Sequence, residues 1–310
     1  EKFIDSLRSD GKVHTTFNQI LDTGRVSSSK PNMQQIPADN SFRNCFIAPE
    51  GWKYVSADYS SQELNVIAFG SQDPVWLQAL KDGQDLHSTC ADLVYGQLWK
   101  DTAEDDCDYM KSKAKCNCKE HKRLRTNVKT INFGLAYGMG AKKLADTLQI
   151  DKKDAEQLIE DYFTAFPAIQ GFLDKLGNFG KQFGYIKTFP PYNRRRWFSG
   201  WYAKMYNSRD NMQELSSIER ASKNTPIQGA SADMTKLALV LLRKLIKENN
   251  LQDQVKLVMT VHDQIDTICE SSFADSWGRL MKLTMEEAAN KIVTNGLLEA
   301  EVTVADCWEK

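Results

Sequence analysis

The run KYVSADYSSQELN, from Lys53 to Asn65, constrains the fold more than any other stretch of the chain. Lys53 to Ala57 carries the aromatic and β-branched content of a buried strand, and Asp58 stands where such a strand leaves its sheet. Ser60, Ser61 and Glu63 suit the first turn of a helix continuing through Leu64, Val66, Ile67 and Phe69, because hydroxyl and acidic side chains complement the exposed N–H groups there. Strand, acid, helix start presents a carboxylate at the end of a sheet, well placed to hold a metal. The same acid taken alone would more often simply solvate a turn.

A second stretch changes that balance. KLVMTV (Lys256 to Val261) and IDTIC (Ile265 to Cys269) are strand-like runs separated by His262, Asp263 and Gln264, the pattern of a tight hairpin with an acid at its tip. Asp58 and Asp263 lie 205 positions apart. If their strands are neighbours in one sheet, the two carboxylates can share a pair of Mg²⁺ ions about 3.5 to 4 Å apart, as two-metal phosphoryl transfer requires. In a third stretch, RTNVKTINFGLAYG, Arg125, Lys129, Phe133 and Tyr137 recur every fourth residue and share one slowly drifting helix face. Cation, cation, aromatic, aromatic follows the parts of a nucleoside triphosphate: Arg125 and Lys129 neutralise phosphates, Phe133 stacks near sugar and base, and Tyr137 closes the base end. Gly134 and Gly138 each weaken a helix interior by up to about 1 kcal/mol, which suggests close approach by another group. The alternative is an amphipathic core helix with solvated cations.

Together these stretches resemble motifs A, B and C of the family A DNA polymerases: DYSSQEL is similar to DYSxxEL, RTNVKTINFGLAYG to RxxxKxxxFGxxYG, and VHDQ to VHDE. The resemblance runs in the family's order from about Gly11 to Trp308. It implies an α+β right-hand polymerase fold whose palm has an antiparallel β-sheet flanked by helices. The palm spans residues 1–70, with 1–22 as the connection from a thumb, and 219–310; mainly helical fingers span 71–218. It implies template-directed addition of deoxynucleoside triphosphates to a primer 3′-hydroxyl. Asp58, Asp263 and Lys129 are then catalytic; Asp58, Tyr59 (through its carbonyl) and Asp263 hold two Mg²⁺ ions, with Mn²⁺ as a substitute. The nucleotide is met by Arg125, Lys129, Phe133, Tyr137, Glu63, His87 and Gln62. Glu63 fills the space of a ribose 2′-hydroxyl and so favours DNA synthesis.

TGRVSSSKPNMQQIP (Thr23 to Pro37) is a polar, turn-rich connection that bottom-up reads as a surface loop. By resemblance it lies along the primer-template duplex, with Arg25, Ser28, Asn32 and Gln34 as DNA contacts, joined by Arg43, Arg194, Arg220, Asn224, Gln228 and His262. Amides and cations there would read minor-groove acceptors common to all base pairs. Two departures touch the motifs: Gln264 replaces a glutamate beside the metals, and Asn65 replaces an arginine.

Asp101 to His121 is an extra charged segment with Cys107, Cys116, Cys118 and His121 spaced C-x8-C-x-C-x2-H. These four soft ligands suit one structural Zn²⁺ stapling an insertion of little apolar content, with reduced surface thiols as the alternative. Seven cysteines, an odd number, fit a reducing compartment better than a disulfide framework.

With 310 residues, 41% hydrophobic and 26% charged, the expectation is a globular, soluble monomer of two subdomains. No run of about 18 apolar residues occurs, so a membrane is not an expected partner. A net charge of −1 does not advertise nucleic-acid binding, but Lys111 to Lys129 and Lys181 to Arg209 are markedly basic. The expected partners are primer-template DNA and deoxynucleoside triphosphates, in the cytoplasm (nucleoid or phage-infected cell) or an organelle. Little precedes the expected palm, so the chain reads as a fragment of a longer polymerase. Competing readings are a reverse transcriptase-like activity and a non-catalytic DNA-binding fragment.

Overall fold

The computed structural model describes residues 4–37, 39–199 and 211–309. In chain order the strands are β1 (Thr16–Asn18), β2 (Ser27–Ser29), β3 (Trp52–Tyr59), β4 (Tyr185–Lys187), β5 (Arg195–Trp197), β6 (Val255–Val261), β7 (Gln264–Glu270) and β8 (Ala300–Ala305). The α-helices are α1 (Asn40–Arg43), α2 (Gln62–Ser71), α3 (Pro74–Lys81), α4 (Leu86–Tyr95), α5 (Gln97–Asp101), α6 (Asp108–Ser112), α7 (Lys119–Ala136), α8 (Ala141–Leu148), α9 (Lys152–Ala165), α10 (Pro167–Phe183), α11 (Met212–Glu248) and α12 (Ala274–Asn290). They fall into two compact units: Glu1–Glu63 with Thr188–Arg194 and Gln228–Lys310, and Leu64–Lys187 with Arg195–Ile227. Two of the four division points lie inside α2 and α11, and the other two at the end of β4 and the start of β5.

The first unit is built on an antiparallel sheet of order β6-β7-β3-β8. Tyr54 to Ala57 are buried without a break, as a central strand covered on both faces must be. One face packs on α12. A Cβ on Gly278 of that helix would come within 2.9 Å of Val302, the Trp277 indole N–H donates to Thr267 Oγ1 at 2.9 Å, and Tyr59 donates its hydroxyl to the Met285 carbonyl at 2.7 Å. On the other face Tyr54 packs with Val261 and Trp308, fringed by Ile36, Phe46, Met259 and Ile268.

In the second unit α7 buries Leu124, Val128, Ile131 and Leu135, a stripe at helical spacing, and α4 packs against it. Helix α10 approaches the first half of α11 so closely that a Cβ on Gly180 would sit 1.7 Å from Ser222 Oγ. The β4–β5 ribbon pairs Lys187 with Arg195 across a loop holding Pro190 and Pro191. Among the described residues no helix is long and apolar enough to cross a membrane.

Candidate active site

The ladder between β3 and β7 brings the two sequence-distant acids together. Asp58 is the register partner of Gln264, and Asp263 is the residue immediately before it, in the two-residue connection that closes on the Val261–Gln264 pair. Paired residues on adjacent strands lie about 4.5–5.5 Å apart at Cα, so the two carboxylates stand at neighbouring strand ends. His262 takes a left-handed φ of 57°, which turns the chain there, and its side chain is exposed. Two carboxylates and nearby backbone carbonyls form an all-oxygen donor set, the kind that suits Mg²⁺. The Tyr59 side chain points into the core, leaving its backbone as the part available to a metal.

Behind these acids lies one that the sequence reading did not single out. Asp266 is fully buried, accepts from Ser56 Oγ and Gln264 Nε2, each at 2.6 Å, and is pushed up to about 6 by burial. Its Gln264 contact accounts for the departure at that position. A glutamate there would set a second carboxylate against Asp266, whereas the amide donates to it.

Arg25 and Glu63 form an ion pair, with burial raising the Glu63 carboxyl against the pull of Arg25. Arg25, Gln62 and His262 line one small cleft in this unit. Several of the residues expected at the nucleic acid or nucleotide also bond within the protein. Gln62 is buried and donates to the Ser231 carbonyl at 3.2 Å, tying α2 to α11. Ser28 is buried, and its hydroxyl accepts from the Met33 N–H at 2.9 Å. Arg43 is 5% exposed, with its guanidinium 4.4 Å above the Trp308 ring and its Nε–H on the Pro37 carbonyl. Arg194 pairs with Asp233 at 2.9 Å and donates to the carbonyls of Thr23 and Gly229. Asn32 caps a short 3₁₀ turn through the Gln34 N–H, and both side chains stay half-buried.

In the second unit Arg125, Lys129 and Phe133 lie on one face of α7, while Tyr137 caps its C-terminus, so the helix stops one residue short of the expected fourth position. The Phe133 and Tyr137 rings stack at 6.4 Å between centroids, and Lys129 is exposed. Arg125 holds Asp85 through two bonds of 2.6 and 2.7 Å; burial raises the Asp85 carboxyl, and the Arg125 bonds outweigh it. His87 is buried, bonded to Asn132 at 2.9 Å, and pushed down to about 4 by burial and then by the Arg125 charge. It is therefore neutral at pH 7 and adds no cation for a phosphate. Gly138 has φ of 72° and a Cβ there would meet Arg220 Cγ at 2.5 Å, the close approach that the glycine suggested. Arg220, Asn224 and Gln228 follow at intervals of four along α11. Asp85 and Asn132 escaped the sequence reading; the structure places Asp85 at the N-cap of α4, accepting from the Ser88 N–H.

The four soft ligands of the insertion also converge. Cys107, Cys116, Cys118 and His121 are all buried, and one ligand atom of each lies within 4.8 Å of the others, a set able to hold one metal ion.

The sequence matches the pattern of DNA polymerase family A along residues 1–310. The chain belongs to DNA polymerase family A. Among curated relatives, this family A chain is 33% identical over 303 residues to the thermostable DNA polymerase I of Thermus aquaticus, covering 96% of the chain and 32% of the relative. It is 32% identical over 305 residues to DNA polymerase I of Chloroflexus aurantiacus, covering 97% and 29%. The family A chain thus spans about a third of the length of the curated relatives it matches. Among solved structures, the POL domain of Pol1 from M. smegmatis, in complex with DNA primer-template and dNTP, superposes with a TM-score of 0.82 at 29% identity, covering 99% of this chain and 50% of that one. The fold of this family A polymerase domain is mixed α+β, with an antiparallel sheet and flanking helices.

Proposed function

We propose that the chain is the palm and fingers of a template-directed DNA polymerase, the first unit serving as palm and the second as fingers. The observation that carries this reading is the β3–β7 ladder, which sets Asp58 beside the turn bearing Asp263. The primer 3′-oxygen attacks the α-phosphorus of a deoxynucleoside triphosphate, the new P–O bond forms, the bond to the leaving pyrophosphate breaks, and the hydroxyl proton leaves to solvent. Asp58 and Asp263, with the Tyr59 carbonyl, would hold two Mg²⁺ or Mn²⁺ ions, which when bound supply charge stabilisation to the attacking and leaving oxygens.

The remaining steps belong to the protein's own groups. Lys129 neutralises the triphosphate and gives a proton to the departing pyrophosphate. Arg125, released from Asp85, binds outer phosphate oxygens by the same two-pronged geometry it uses on that carboxylate. Phe133 and Tyr137 face sugar and base. Glu63, fixed by Arg25, occupies the volume that a 2′-hydroxyl would need. Arg25, Asn32, Gln34, Arg220, Asn224, Gln228 and His262 are the candidates for primer-template contact, and Ser28, Arg43, Gln62, His87 and Arg194 hold their surroundings in place. The setting is the compartment where such DNA is copied, cytoplasmic or organellar.

The test is primer extension on a DNA template with Mg²⁺ and either deoxy- or ribonucleotides, comparing the chain with Asp263→Ala. Extension with deoxynucleotides alone, reduced at least about 1,000-fold in the variant, is expected. Equal extension by both proteins, or ribonucleotide use matching deoxynucleotide use, would sink the reading. If neither protein extends but both bind primer-template, the chain is a DNA-binding fragment.

A further inference from the structure

The insertion between α5 and α7 has almost no apolar interior. From Asp101 to Glu120 the buried residues are Cys107, Tyr109, Cys116 and Cys118, so three of the four are thiols. A core of this composition returns little hydrophobic stabilisation, and twenty ordered residues cost far more in conformational entropy than one buried tyrosine recovers. Something else holds the segment in place.

We propose that the three thiolates and the His121 Nδ1 bind one structural Zn²⁺. The distances fit. Zinc bonds of about 2.3 Å to sulfur and 2.0–2.1 Å to nitrogen imply tetrahedral edges of roughly 3.5–3.8 Å. Cys107 Sγ and Cys116 Sγ lie 3.3 and 3.2 Å from His121 Nδ1, and the whole set falls within 4.8 Å. The far side of the ring is already arranged for this. His121 Nε2–H donates to the Trp99 carbonyl at 2.6 Å, which fixes the tautomer and leaves Nδ1 with its lone pair directed at the sulfurs. Trp99 also stacks flat on the imidazole at 3.7 Å and meets Tyr109 edge-on at 5.3 Å, shielding the cluster from water. Four protein ligands fill a tetrahedron and leave no open position, so the ion has no catalytic part.

Its consequence lies in what the ligands are attached to. Cys118 is the N-cap residue of α7 and makes no side-chain capping bond, while His121 sits in that helix's first turn. A metal here pins the N-terminus of the helix carrying Arg125 and Lys129. The same insertion meets the Arg125 partner from the other side: the Asp85 N–H donates to the Lys113 carbonyl at 3.1 Å. Zinc would therefore fix the start of α7 and the backbone of the residue that holds Arg125.

The whole chain, purified without chelator, is expected to contain about one zinc per molecule by elemental mass spectrometry. Replacement by Co²⁺ should give the visible bands of tetrahedral cobalt with a near-ultraviolet thiolate charge-transfer band. Cys118→Ser should lose most of the metal, and Cys45→Ser, at an exposed thiol outside the cluster, should keep it. If Cys118→Ser fails to fold, the metal content and cobalt spectrum of the unaltered chain decide alone. A folded chain with no bound zinc and no tetrahedral cobalt spectrum, or an intact mass lower by two hydrogens from a disulfide, would overturn the assignment. These readouts do not depend on extension activity.

Discussion

Asp266 sits on the same sheet face as Asp58 and carries a penalty that pH can reveal. Its folded value of about 6 stands above the ordinary 3.8, because burial disfavours the charged form. Between those values the native state binds more protons than the unfolded chain, so stability falls as pH rises through the window and stays lowered above it. Asp266→Asn removes the penalty while keeping an acceptor for Ser56 and Gln264. Urea unfolding should show the variant more stable by about 2–3 kcal/mol at pH 8, with the difference vanishing near pH 4. A difference independent of pH would mean that the carboxylate is stabilised by groups other than those seen around it. The side chains hardest to read at this scale were those whose fate is decided by distant partners. Nothing near Arg43 in sequence announces Trp308, and nothing near Gln62 announces Ser231. Family motifs mark such residues as important without saying whether they face a ligand or the core.

Elements were far more legible, because periodicity is local. The buried run before Asp58, the hairpin around Asp263 and the first three positions of the four-residue spacing along α7 appear in the fold where expected, with Tyr137 falling on the cap. What spacing could not supply was closeness between helices. Gly180, in the interior of α10, reads in sequence only as a weak helix residue, yet it is the point where α11 crosses. Gly180→Ala should destabilise by about 1–3 kcal/mol through overpacking against Ser222. Gly171→Ala, on the same helix with open space around it, should be neutral or stabilising by up to about 1 kcal/mol. Denaturant titration of the two variants is the check: equal changes at Gly180 and Gly171 would show that the crossing with α11 does not set the cost.

For the whole molecule, a net charge of −1 conceals cations gathered along α7 and the β4–β5 ribbon. If these meet phosphates, the affinity for primer-template should fall linearly on a logarithmic salt scale, losing at least about tenfold between 50 and 200 mM salt. Fluorescence anisotropy would measure this, and a flat response would show that the segregated charge serves solubility alone.

The sheet also bears on how the molecule comes into being. Strand β3 holds the centre of the sheet, between β7 and β8, yet both partners are encoded some two hundred residues later. At about 5–20 residues per second, a ribosome would release β3 roughly 10–40 s before β7 exists to pair with it. Through that interval Tyr54, Val55 and Ala57, fully enclosed in the finished fold, have no partner strand to cover them. The stretch that most defines the chemistry is thus one that must wait, uncovered, for the strands that will enclose it.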